Sequence, residues 1–270
     1  CIRDRYLSTY PESLSAGYFT GGLSAVGRSA DDIYAACYEQ LRAKSLEYYK
    51  RFPGDRVRFA ELAALAKKGE IATPSGDVVC PSRLRSLGHV LGASGGAEKL
   101  HYLLEYPHTS RAFRHDLAEL LPYDGRNPLY AVIHESSYAD GVVTDWSAAR
   151  TLPDDFREDP TLLTGEHVMP EWFDTDQELR PWKEVADLIA NHPWPKLYDP
   201  DVLRTAEVPC AAAVYHDDAY VPRKFSLETA ALLPQMHAWV TTEYEHNGSN
   251  ASGGAVLDRL IKLAKGEIVR

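Results

Sequence analysis

Val208-Pro-Cys-Ala-Ala-Ala-Val-Tyr-His-Asp-Asp-Ala-Tyr-Val-Pro222 is an apolar run that ends in acids. A second apolar run follows and leads into Trp239-Val-Thr-Thr-Glu-Tyr-Glu-His-Asn-Gly248, ending in a histidine. Each run is short, bounded by turn residues, and followed by a helical pattern. The spacing predicts strands over about 209–215 and 237–243, with helices over about 223–233 and 253–266. Strand and helix alternating in this way predict an α/β fold, with parallel strands covered by helices.

Upstream of residue 190 the pattern is different. Residues 15–20 read as a short buried strand closed by Gly21-Gly22. Residues 29–52 read as a helix with Ser29 and Asp31 as candidate N-caps. Further helices are expected over 55–69, 81–105 (split at Gly92–Gly96), 110–122 and 127–137. Residues 71–80 read as a hairpin-like excursion, and 141–190 carry acids and Trp with little strand pattern. The first residues, up to Thr9, read as the tail of a helix that stops before Pro11. The expected layout is a core of residues 1–25 and 191–270 with a mostly helical block, 26–190, inserted as a cap.

The net charge is −10, which argues against nucleic acid as a partner. No run of 18 apolar residues marks a membrane span. The four cysteines, Cys1, Cys37, Cys80 and Cys210, are scattered with no C-x-x-C spacing. Neither a metal knuckle nor a disulfide framework is expected, and reduced thiols in a cytoplasm are the simplest reading.

An acid and a histidine at the carboxyl ends of parallel strands converge in one crevice. There the acid can orient the imidazole and the imidazole can take a proton from a nucleophile. His246 is the candidate base; Asp217 and Asp218 both qualify as the acid. The nucleophile is harder to find. Gly92-Ala-Ser94-Gly-Gly96 has the letters of a G-x-S-x-G elbow, but residues 82–91 before it have helix spacing rather than a strand. A Gly-rich break between two helices is the simpler reading of Ser94. Cys1 could act only as an N-terminal nucleophile, and it opens a helix-like stretch rather than a strand.

Several stretches together resemble the prolyl aminopeptidases (proline iminopeptidases). They are Tyr6-Leu-Ser-Thr-Tyr-Pro-Glu12, Tyr18-Phe-Thr-Gly-Gly-Leu23, Leu91-Gly-Ala-Ser-Gly-Gly96, Leu100-His-Tyr-Leu-Leu104, Ile133-His-Glu-Ser-Ser-Tyr-Ala139, Leu163-Thr-Gly-Glu-His167 and Glu243-Tyr-Glu-His-Asn-Gly248. They are distributed over nearly the whole chain. The resemblance implies an α/β-hydrolase with a partial sheet and a large helical cap. It also implies a serine aminopeptidase that releases N-terminal proline from peptides and needs no cofactor or metal.

In that family the acid lies in a Tyr-x-x-Asp-x-x-Val-Pro pattern, which falls on Asp218, and the base lies in Glu-His-x-Gly, which falls on His246. Carboxylates of the cap would hold the substrate's amine, which points to Glu135 and Glu166; Tyr138, Trp172 and Phe173 would line a pocket for the proline ring. The resemblance implies that the serine elbow would sit just before Cys1, so the chain is expected to lack an N-terminal part. A sheet without its first strands would expose an edge and favour oligomers. Two other readings remain open: a non-catalytic remnant or half of a complementing pair that binds an amino terminus, and an esterase or amidase using Ser94.

Overall fold

The computed structural model describes residues 2–123 and 127–269. Cys1 lies outside the described residues, and its reading as a nucleophile with it.

Three parallel strands, β1 (Gly17–Phe19), β2 (Cys210–Tyr215) and β3 (Met236–Thr241), form one sheet in the order β1-β2-β3. The register pairs Gly17 with Cys210 and Cys210 with Met236. Strand β2 is buried along its full length. Successive side chains of a strand point to opposite faces, so a continuous apolar run means that both faces are covered. Cys210, Ala212 and Val214 pack with Leu7, Phe19 and Leu203 on one side. Ala211, Ala213 and Tyr215 pack with Val256, Leu260 and Leu263 on the other. The first side is covered by α1 (Ile2–Thr9), the second by the C-terminal helix Ala255–Ala264. Strand β3 is the exposed edge, with His237, Ala238 and Val240 turned to solvent.

Between β1 and β2 the chain is helical. Helices α2 (Ala30–Arg51), α3 (Pro53–Lys67), α4 (Pro81–Arg85), α5 (Gly96–Glu105), α6 (Arg111–Leu120) and α7 (Pro128–Ile133) come first. Shorter helices follow: α8 (Ser147–Arg150), α9 (Asp154–Glu158), α10 (Trp172–Thr175), α11 (Lys183–Ala190) and α12 (Pro200–Thr205). After β2 come α13 (Arg223–Ala230), then α14 (Gly248–Ala251) and α15 (Ala255–Ala264) beyond β3.

The helical block has its own core, centred on Phe59, Leu84, Leu87, Leu100, Phe113 and Leu117. It joins the sheet side through Ile33, Ala36 and Cys37 of α2, which pack on Phe225 of α13. Ser29 caps α2 in a reciprocal box with Asp32: its hydroxyl accepts the Asp32 N–H at 3.1 Å. Asp31, the other candidate cap, instead accepts from Ser147 and Arg150. The excursion at 71–80 is present as a single antiparallel bridge between Ala72 and Val78. The Gly92–Gly96 break is also present, between a 3-10 stretch, Ser86–Gly92, and α5. No helix among the described residues is long and apolar enough to cross a membrane.

Candidate active site

Strand β2 ends at Tyr215, and the chain turns at once through Asp217 and Asp218. The two acids have opposite fates. The Asp217 side chain is 65% exposed and lies 2.8 Å from its neighbour, His216. The Asp218 side chain is 1% exposed. Its Oδ1 accepts the backbone N–H groups of Tyr220 and Val221 at 2.9 and 3.0 Å. That turn aims Oδ2 at Nδ1 of His246, 2.8 Å away. A carboxylate so buried needs such partners, because an unpaired buried charge is costly.

His246 sits in the loop after β3, with a side chain 34% exposed. With Nδ1 donating to Asp218, Nε2 is the basic nitrogen of the ring. The Tyr220 ring meets the imidazole edge to face at 5.1 Å. Gly21, at the end of β1, lies against the other side: a Cβ there would stand 3.0 Å from Cε1 and 3.3 Å from Nε2. The ends of β1, β2 and β3 therefore converge on one imidazole. Tyr215 ties two of them by donating to the Thr20 carbonyl at 2.7 Å.

Beside this pair lies a cavity of about 100 Å³, lined by residues that include Gly21, Gly22, Tyr138, Tyr220 and Phe225. The helical block adds an array of aromatic and titratable groups. Glu166 Oε2 lies 3.4 Å from His134 Nε2, and His134 Nδ1 lies 3.4 Å from the Tyr34 hydroxyl. Burial raises the Glu166 carboxyl's pKa, but the hydrogen bond and charge of His134, with His246 and His89, outweigh it. The net result lies below the ordinary carboxylate value. About a quarter of the Glu166 side chain, 27%, remains open to solvent. Burial, with the charges of Glu166 and Asp218 adding to it, pushes the Tyr220 phenol well up, so it stays neutral.

Glu135 behaves differently. It is 7% exposed, and its Oε2 accepts the Ala148 N–H at 3.2 Å, near the start of α8. Its Oε1 is buried without a hydrogen-bond partner among the described residues. Tyr138 packs edge-on against Tyr34 at 5.2 Å and against His134 at 5.6 Å, on the wall of the cavity. Trp172 and Phe173 are fully buried in a cluster with Val132, Val168 and Leu179, as core rather than open wall. The Ser94 hydroxyl donates to Asn247 Oδ1 at 3.2 Å, one residue beyond the histidine.

Among the described residues no group of three His, Cys, Asp or Glu side chains is placed to hold a metal ion. His134, Tyr34 and Tyr220 escaped the sequence reading. Tyr220 lies inside the Asp218-to-Pro222 motif and was the most findable of them; nothing local distinguishes Tyr34 from any other helical tyrosine.

No family model matches the chain. A proline iminopeptidase of Aeromonas sobria is 38% identical over 272 residues, covering 96% of this chain and 63% of the relative. A second, proline iminopeptidase aneH of Aspergillus aculeatus, is 24% identical over 276 residues, covering 97% of this chain and 61% of the relative. The chain is therefore a relative of the proline iminopeptidases, as its motifs implied, and spans about three fifths of their length.

Proposed function

We propose that the chain carries the acid and base of a serine aminopeptidase that releases N-terminal proline from peptides by acyl-enzyme hydrolysis. The observation that carries this reading is the 2.8 Å contact between Asp218 Oδ2 and His246 Nδ1 at the ends of adjacent parallel strands. In the reaction His246 Nε2 takes the serine proton as the hydroxyl attacks the prolyl carbonyl. It then returns that proton to the leaving amine, while Asp218 stabilises the imidazolium. Water, deprotonated by the same nitrogen, hydrolyses the acyl-enzyme. No metal or organic cofactor takes part in this scheme.

The cap reading of residues 26–190 assigns the amine end of the substrate to the helical block. Glu166 suits a prolyl ammonium, because it stays ionised at neutral pH and keeps a solvent-reachable face. Glu135 is the second candidate, through its unpartnered Oε1. The proline ring would pack against Tyr138.

The serine is assigned to a segment outside these 270 residues, as part of a larger α/β-hydrolase sheet. Support comes from the edge of β1, where Tyr6, Leu7, Leu14, Tyr18 and Phe19 border an apolar groove of about 260 Å³. A further apolar segment of the protein seated in that groove would lie next to the sheet. The free thiols of Cys37, Cys80 and Cys210 suit a reducing, cytoplasmic setting.

The test is a fluorophosphonate label on the protein isolated from its source, with the adduct mapped by mass spectrometry and prolyl-arylamide hydrolysis followed in parallel. A labelled serine outside the 270 residues, with hydrolysis that dies on His246→Ala, supports the proposal. An adduct on Ser94 would favour the esterase or amidase reading. Absence of both label and hydrolysis would leave an amino-terminus-binding protein as the better account.

A further inference from the structure

The loop that carries His246 is tied to one turn of the helical block by several separate contacts. The His246 backbone N–H donates to the Gly92 carbonyl at 3.1 Å. Asn247 Oδ1 accepts both the Ser94 backbone N–H, at 3.0 Å, and the Ser94 hydroxyl, at 3.2 Å. On the other flank of the histidine, Glu245 pairs with Lys44 of α2 at 2.7 Å, with the lysine side chain only 10% exposed. The acid loop is tied to the same place. The Tyr220 hydroxyl donates to the His89 carbonyl, and its ring lies against Gly92 closely enough that a Cβ there would overlap it.

A loop of six residues, 242–247, between a strand and a one-turn helix is intrinsically loose, since little apolar area holds it. Here residues 245, 246 and 247 are each held by the helical block, and so is Tyr220, which packs on the imidazole. The hydrogen-bonded His–Asp geometry requires both loops to keep a fixed separation, and the 89–94 turn touches both.

We propose that Lys44 and Ser94, acting with Gly92 through Glu245 and Asn247, are positioning residues for the His246–Asp218 pair. The helical block thus sets the geometry of the base as well as covering the crevice. Ser94 on this account is a staple for the histidine loop. The proposal rests on the hydrolase reading for its purpose, though not for its test.

The test uses the 270-residue chain with labelled histidines. The His246 Nδ1 proton, held by Asp218, should resonate far downfield and exchange slowly with water. His101, whose Nδ1 lies 2.8 Å from the buried Asp55 far along the helical block, supplies an internal reference. In Asn247→Ala and in Lys44→Met the His246 proton is expected to exchange ~tenfold faster, the scale of one lost hydrogen bond or partly buried ion pair. The His101 proton should not change. Ser94→Ala, which removes a single exposed hydroxyl, should give a smaller acceleration, and Lys44→Arg and Ser94→Thr should restore slow exchange. Unchanged His246 exchange in an Asn247→Ala, Lys44→Met double variant would overturn the positioning proposal while leaving the hydrolase reading intact. Absence of the downfield His246 proton in the unaltered chain would overturn the pair itself, and both proposals with it.

Discussion

Asp218 reaches His246 only because its other carboxylate oxygen is held by two backbone N–H groups, those of Tyr220 and Val221. Three hydrogen bonds converge on one buried carboxylate and fix the direction in which it presents its free lone pairs. Asp217, one residue earlier, faces solvent with a side chain 65% exposed. On the proposed hydrolase reading, Asp218→Asn is expected to lower kcat by about 10³–10⁴, since an amide holds the wrong imidazole tautomer. KM should change little. Asp217→Asn should leave kcat within a factor of about two, as expected for an exposed surface substitution. Steady-state hydrolysis of a prolyl arylamide reads both, and equal losses would remove the distinction.

Glu166→Gln is expected to weaken recognition of the substrate's amine by about 1–3 kcal/mol, the cost of removing one charged partner. The loss should appear in KM for free-amine substrates. Because the Glu166 carboxyl is held below its ordinary value of 4.5, amine binding should persist as pH falls through 5 and fail only below the usual carboxylate range. A KM that climbs between pH 7 and 5 would contradict this. Glu135→Gln should give a smaller loss of amine recognition and also lower thermal stability, since that side chain supports the Ala148 N–H from a buried position.

His167 gives an acid-stability signature. It is buried between the Tyr34 and Tyr38 rings, and burial first, then the neighbouring His134, depresses its pKa from 6.5 to about 3. The folded protein keeps this ring neutral over a range in which the unfolded chain is already protonated. The unfolded state therefore binds the extra proton between pH 6.5 and 3, and stability falls as pH drops across that window. The slope from this one group is up to about 1.4 kcal/mol per pH unit. Chemical denaturation at several pH values should show His167→Gln with a shallower acid slope than the unaltered chain.

Gly92→Ala is expected to cost both stability and catalytic geometry. The new methyl would overlap the Tyr220 ring, which cannot withdraw without losing its bond to His89 and its contact with His246. A loss of about 1–3 kcal/mol is the usual scale for such overpacking. Gly76→Ala faces open space, though at a positive φ of 93°, and should show a smaller loss. Paired melting curves decide between them.

The exposed edge strand β3 should make the isolated chain self-associate. Sedimentation velocity across a concentration series is expected to show oligomers. A monodisperse, cooperatively melting monomer at all concentrations would count against association through the β3 edge.

Much of the frame was legible in the chain. Cys210–Tyr215 could hardly be anything but a doubly covered strand, and it is one. Ser29, one of the two candidate caps, does start α2, though its partner in the box is Asp32 and not Asp31, and the glycines at 92–96 interrupt the helices where expected. The roles of particular side chains were less legible. The resemblance offered Trp172 and Phe173 as pocket wall, although aromatic residues in such places are more often core; they are core. Glu135 and Glu166 stand in similar motifs, yet one is locked on a backbone N–H and the other opens toward solvent beside a histidine.

The sequence by itself determined the strands, the order of acid and histidine, and the kinship with the proline iminopeptidases. These are local patterns, or patterns inherited position by position, and both survive in a string of letters. Only the tertiary structure decided that Asp218 lies buried against His246 with its other oxygen on two backbone N–H groups, and that Ser94 bonds Asn247. It alone brought His134 and Tyr34, 100 residues apart, within 3.4 Å. Those outcomes depend on which segments pack together across long separations, and hydrogen-bond geometry acts over a few ångströms of space regardless of distance along the chain.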